Sequence, residues 1–169
     1  MDATRKCAVL LVLIAGSACA SHKAPATTTT SSSTERWSGS FKQVARSAVI
    51  GSDMTRARAS GYGTITLTPV ADQKGRVKVD LSVNTSLAGT QIAWAVFEGA
   101  CNAPTPPVIQ VNEFPTIEIG NSGSGIVRTE LPLTLSSRAT YHANVYWTGR
   151  ATDMSNVMLC AVLDFTGKR

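Results

Sequence analysis

The chain has 169 residues, 43% of them hydrophobic and 16% charged, with a formal charge of +5. That length holds one globular domain with a real core, plus a leader. The basic residues are scattered, apart from Arg46, Arg56 and Arg58, which excludes the dense basic stripe of a nucleic-acid binder and leaves this trio as a solvated loop.

Arg5 and Lys6 precede an apolar run from Cys7 to Gly16. A run of about ten residues matches a signal-peptide core and is too short to span a bilayer. It closes on Gly16-Ser17-Ala18-Cys19, which resembles a bacterial lipobox, although Gly16 stands where most lipoboxes carry Leu. The resemblance implies that residues 1–18 are a signal peptide and that Cys19 is lipidated, anchoring the protein to a membrane. Ala20 follows it, not the Asp that often retains enteric lipoproteins at the inner membrane, so an outer-membrane lipoprotein is expected. The alternative is a secreted or periplasmic soluble protein, because Ala18-Cys19-Ala20 also fits the A-x-A cleavage pattern. Either route leads out of the cytosol. Residues 19–36 are rich in Ser and Thr, cannot bury enough surface to offset ordering, and are expected to form a tether.

The folded domain is expected over residues 37–169, and its periodicity is that of strands. Thr64–Thr68 turns Ile65 and Leu67 to one side, and Val77–Asn84 turns Val77, Val79, Leu81 and Val83 to one side. Gln91–Phe97 sets Ile92, Trp94 and Val96 against Ala93, Ala95 and Phe97. A short strand at Thr116–Ile119 leads through the Gly-rich loop 120–125 to Gly125–Leu135, with Val127, Leu131, Leu133 and Leu135 aligned. Tyr141–Trp147 places His142, Asn144 and Tyr146 opposite Tyr141, Ala143, Val145 and Trp147. Val157–Phe165 is the last strand. Period-two patterning with turn signals at 72–75, 87–89, 104–107 and 120–123 predicts an all-β fold: an antiparallel Greek-key β-sandwich or flattened barrel of about eight strands.

Cys101 follows one strand directly and Cys160 lies inside the last. In an exported chain, two remaining body cysteines are expected to pair as one disulfide rather than persist as free thiols or a lone nucleophile.

These residues resemble a known family. Ala95-Val96-Phe97-Glu98-Gly99-Ala100-Cys101 is similar to the copper/zinc superoxide dismutase segment His-x-His-Glu-x-Gly, which is followed by a disulfide cysteine. Leu159-Cys160-Ala161-Val162-Leu163 resembles that family's Ala-Cys-Gly-Val-Ile, which carries the second cysteine. Tyr141–Tyr146 resembles the strand ending in a third copper-binding histidine, and also the Tyr-x-Asn-Val-His motif of CHRD domains. The likeness spreads over residues 37–165 and implies the same sandwich. It also implies that the ligand positions are held here by Ala95, Phe97 and Tyr146, none of them an imidazole.

Copper and zinc sites need several His nitrogens at about 2.0–2.1 Å. The body offers His142 alone, expected to be a half-exposed strand residue, while His22 lies in the tether. The expectation is therefore a scaffold without dismutase chemistry, not an enzyme, and with no cofactor. No phosphate loop precedes a helix and no G-x-S-x-G elbow is present. Convergence of Glu98, Glu113, Glu118 and Glu130 stays open. The sharpest expectation is that Ala95, Phe97, His142 and Tyr146 form an apolar and aromatic patch that binds an envelope protein or a small ligand, unless the loop from Asn102 to Phe114 buries it. The alternative function is a metal-handling protein or enzyme with a non-standard site near His142 and Glu98.

Overall fold

A computed structural model describes residues 35–44, 60–147 and 156–167, which fall within one compact unit. The signal segment, Cys19, the tether and the arginine trio lie outside the described residues. The strands are β1 (Arg36–Gln43), β2 (Gly61–Pro69), β3 (Val77–Thr85), β4 (Gln91–Ile92), β5 (Trp94–Glu98), β6 (Ile117–Glu118), β7 (Ser124–Leu131), β8 (Tyr141–Tyr146) and β9 (Val157–Thr166). Seven of them make one curled sheet in the order β5-β8-β9-β1-β2-β3-β7, with every pairing antiparallel. The last strand returns beside the first, and crossovers place β7 beside β3 and β8 beside β5. The all-β antiparallel fold expected from the period-two patterning is the observed one.

Alternation decides which face is buried. Trp37 lies opposite Leu67, Ile65 opposite Leu81, and Leu81 opposite Val127, so β1, β2, β3 and β7 line up one apolar face. With Trp94, Val96, Ala143, Val145, Leu159, Ala161 and Leu163 from β5, β8 and β9, these residues form a continuous core. The opposite face of β3 and β7 is charged. Arg128 and Lys78 reach Asp80 at 3.4 and 3.8 Å, and Arg76 reaches Glu130 at 3.6 Å. These pairs are exposed and add little stability.

Gly39 lets β1 pass close to β9, because a methyl group there would run into the Val162 carbonyl and crowd Ala161 and Leu163. The strand expected over Gln91–Phe97 is divided at Ala93. There the Ala93 carbonyl accepts the Tyr146 amide at 2.8 Å, while Ile92 turns to pair with Ile117. The strand expected to run to Leu135 ends at Leu131, because Pro132 offers no N–H to a ladder. Leu133 is still buried beyond it. Tyr141 closes the connection into β8 by accepting the Ser136 amide on its hydroxyl at 2.9 Å.

Candidate functional site

The face implied for the metal is the outer face of β5 and β8. Register places Ala95 opposite Asn144 and Phe97 opposite His142, with Tyr146 further along the same side. The residues expected to form a patch are thus brought together, but they are not open to solvent. Ala95 and His142 are 0% exposed, Tyr146 1% and Phe97 3%. Of the two expected arrangements, an open patch or one that is buried, the buried one is observed, and His142 is corrected from half-exposed to fully buried.

The connection after β5 gives the physical reason. The Val108 amide donates to the Val96 carbonyl at 2.9 Å, Phe97 bridges to Pro107, and the Thr105 hydroxyl donates to the Glu98 carbonyl at 2.7 Å. Further on, Phe114 packs edge-on against Trp94 at 5.0 Å, and the Trp94 indole donates to the Pro115 carbonyl at 2.7 Å. These contacts run along the free edge of β5 and onto its core side; the layer on the cluster's side is the start of the loop, where Cys101 is bonded to Cys160.

His142 anchors this layer. Its Nδ1–H donates to the Gly99 carbonyl at 3.0 Å, and Gly99, at φ 95°, donates its own amide to the Thr140 carbonyl at 2.8 Å. That positive φ suits glycine alone. The ring stacks on Phe97 with centroids 5.2 Å apart and planes 16° from parallel. With Nδ1 protonated, Nε2 carries the lone pair, and it is buried without a hydrogen-bond partner. Burial lowers the imidazole pKa below its usual value, and the Gly99 bond only partly opposes this.

Cys101 and Cys160 form a disulfide with Cα atoms 6.1 Å apart. Cys160 lies between Lys42 of β1 and Asn144 of β8, so the bridge ties the base of the covering loop to the centre of the sheet. Beside it opens a groove of about 570 Å³, walled by Ser40, Lys42, Cys101, Asn102, Val162 and Asp164 among others. Val162 is 45% exposed there. Sequence reasoning missed this groove, since it depends on the non-local pairing of β1 with β9. The alternation Ser38, Ser40, Lys42 against Cys160, Val162, Asp164 is the signal that could have found it.

Glu98 does not join His142. It pairs with Tyr141, so its side chain leaves from the other face of the sheet and is exposed. Glu113 sits in a short helical turn, Glu118 accepts from Gln91, and Glu130 lies near Arg76. Among the described residues no group of three or more His, Cys, Asp or Glu could hold a metal ion. The donor set does not fit copper: the resemblance implies imidazoles at Ala95, Phe97 and Tyr146, and a methyl, a phenyl and a phenol are present there around one histidine.

No family model, curated protein or solved structure matches the chain.

Proposed function

We propose that this protein is an exported, lipid-anchored, non-catalytic domain of the bacterial cell envelope, a superoxide dismutase-like or CHRD-like sandwich with a binding or structural role. The observation that carries this reading is the packing of Ala95, Phe97 and Tyr146 into the interior beneath the loop that Cys101–Cys160 ties down. A metal centre needs donors and access, and this cluster offers hydrocarbon and aromatic surface sealed by a loop. The groove beside the disulfide supports binding over a purely mechanical role, because it brings Lys42 and Asp164, of opposite charge, to either side of an exposed Val162.

Two measurements test the reading. A diacylglyceryl mass on Cys19 in membrane-extracted protein is expected, and a chain starting at Ser21 would overturn the anchor. Protein refolded with copper and zinc is expected to release both on desalting. Tightly held stoichiometric metal with superoxide turnover would favour the metal-handling alternative.

A further inference from the structure

The seven-stranded sheet has two ends, and the chain treats them differently. At one end its own loop covers the edge of β5, since Val108 donates to the Val96 carbonyl and Pro107 bridges to Phe97. At the other end β7 pairs with β3 alone, in an unbroken register from Ser124 to Leu131 with no proline in the strand. A regular edge strand of this kind is a template for a further strand.

The turn before β7 fixes which of its backbone groups face outward. Thr85 donates to the Gly123 carbonyl at 2.8 Å, and these two residues continue the register of Asn84 and Ser124. In an antiparallel ladder such directly bonded pairs alternate with unbonded ones. Gly125, Val127, Thr129 and Leu131 therefore aim their backbone groups at β3, while Ser124, Ile126, Arg128 and Glu130 aim theirs at the edge. Ser124 fits this parity, because its carbonyl accepts the Gly120 amide at 3.0 Å and not a group on β3. Among the described residues nothing bonds to the outward backbone groups of Ile126, Arg128 and Glu130. The side chains of these three residues stand on the solvent face, Ile126 being 60% exposed. Arg128 and Glu130 meet Asp80 and Arg76 at 3.4 and 3.6 Å, as exposed pairs that water and salt loosen.

We propose that β7 pairs antiparallel with β7 of a second copy of this chain, across a two-fold axis at Thr129. The proposal does not depend on export or lipidation. In this register Arg128 lies opposite Glu130 of the second copy, and Glu130 opposite its Arg128. The outward N–H and C=O of both residues then find partners, and opposite charges face each other on both sides of the axis. Thr129 meets Thr129, a favourable cross-strand pair, and the exposed Ile126 comes level with the exposed Pro132 of the second copy. Charges on an edge strand ordinarily deter pairing, and here they deter the other registers. An axis at Arg128 sets like charges opposite, and an axis at Val127 sets Arg128 against Ile126. A shift by one residue sets outward groups against groups already bonded to β3. A second copy satisfies the alternation of sign by symmetry alone, whereas an unrelated strand would need the same two charges at the same spacing. The seam is short, so the dimer is weak and its population rises with concentration.

The test combines sedimentation of the full chain over a range of concentrations with amide exchange. A monomer–dimer equilibrium is expected. Protection of the Ile126, Arg128 and Glu130 amides is expected to rise with concentration, while Val127 and Thr129, bonded to β3, stay protected throughout and report that each variant is folded. Arg128→Glu or Glu130→Arg alone is expected to weaken self-association about tenfold. Mixing the two variants sets opposite charges face to face again and is expected to restore it. A monomer at every concentration, a dimer whose three outward amides still exchange fast, or charge variants that self-associate like the parent would each overturn the proposal. Protection gained only on adding another protein or peptide would assign the edge to a different partner and overturn it as well.

Discussion

Phe97 and His142 face each other across β5 and β8, their rings stacked 5.2 Å apart, with the imidazole shut away from solvent. A protonated His142 would carry a second N–H at Nε2, where the neutral ring already finds no partner. Burial accordingly lowers its pKa in the folded state, so the unfolded chain binds the proton more readily. The stability this contributes is complete above the unfolded value, about 6.5. It is lost as pH falls from there through the folded value. Urea unfolding midpoints should therefore drop between pH 7.5 and 5.5. In His142→Gln, which can keep a donor for Gly99, the drop should shrink, and an unchanged slope would remove His142 from the account.

The interior setting of the cluster reverses what a surface patch would predict for substitution. Phe97→Ala should cost about 3–5 kcal/mol, the range for emptying an aromatic core site. Phe97→Asp combined with Tyr146→Ala should cost more than about 4 kcal/mol, since it also buries a carboxylate among Ala95, His142 and the covering loop. Chemical denaturation reads both. A double variant of unchanged stability would mean that the loop does not seal this face in solution.

Much of the sheet could be read from period-two alternation, because β2, β3 and β7 each pair an apolar face with a more polar one. β1 escaped, since Gly39 interrupts its inward row of Trp37 and Phe41 with a residue that shows no side chain to count. β5 and β8 were legible as strands but not as doubly buried ones. Alternation tells which residues share a face, while the covering of that face depends on the Gly99 contact to His142 and the Cys101–Cys160 bridge, set by tertiary packing. The disulfide was legible from two body cysteines in a chain expected to be exported. The groove next to it was not, because it arises where distant segments meet.

Closing a loop with a sequence separation of 59 should make Cys101–Cys160 a large single contributor. The chain-entropy model gives about 4 kcal/mol for a loop of this length. Cys101→Ser with Cys160→Ser should lower the unfolding free energy by up to about that amount. It should also raise hydrogen exchange at Gly99 and Ala103, whose amides bond within and beside the bend that the bridge holds. Equal stability with and without the bridge would show that the Val108 and Pro107 contacts hold the loop alone.

Trp94 offers a more local check on the covering layer. Its indole donates to Pro115 while its ring meets Phe114 edge-on, so one side chain fixes the far end of the loop through both a polar and an apolar contact. Trp94→Phe keeps an aromatic ring but leaves the Pro115 carbonyl unanswered. The expected cost is about 1–3 kcal/mol from the lost bond, with a further share from the volume removed. Exchange at the Phe114 amide should quicken. A variant as stable as the parent would assign the anchoring to Phe114 packing alone.

Gly39 carries the last prediction. On either side of it β1 and β9 keep one register, Ser38 opposite Asp164 and Lys42 opposite Cys160. A methyl group at residue 39 meets the Val162 carbonyl, which cannot give way without moving β9, and also crowds the Ala161 and Leu163 side chains. Gly39→Ala should therefore cost about 1–3 kcal/mol, the usual range for overpacking a well-filled core. The damage should be directional. Because Val162 and Asp164 line the disulfide groove together with Ser40 and Lys42, that wall should shift as the strands part. The sheet formed by β2, β3 and β7 should stay intact. Amide exchange separates the two outcomes: faster exchange at Ser38 and Lys42 with unchanged rates in β3 is expected, whereas a uniform rise across the sheet would mean that the close approach at Gly39 supports the whole fold and not the β1–β9 seam alone.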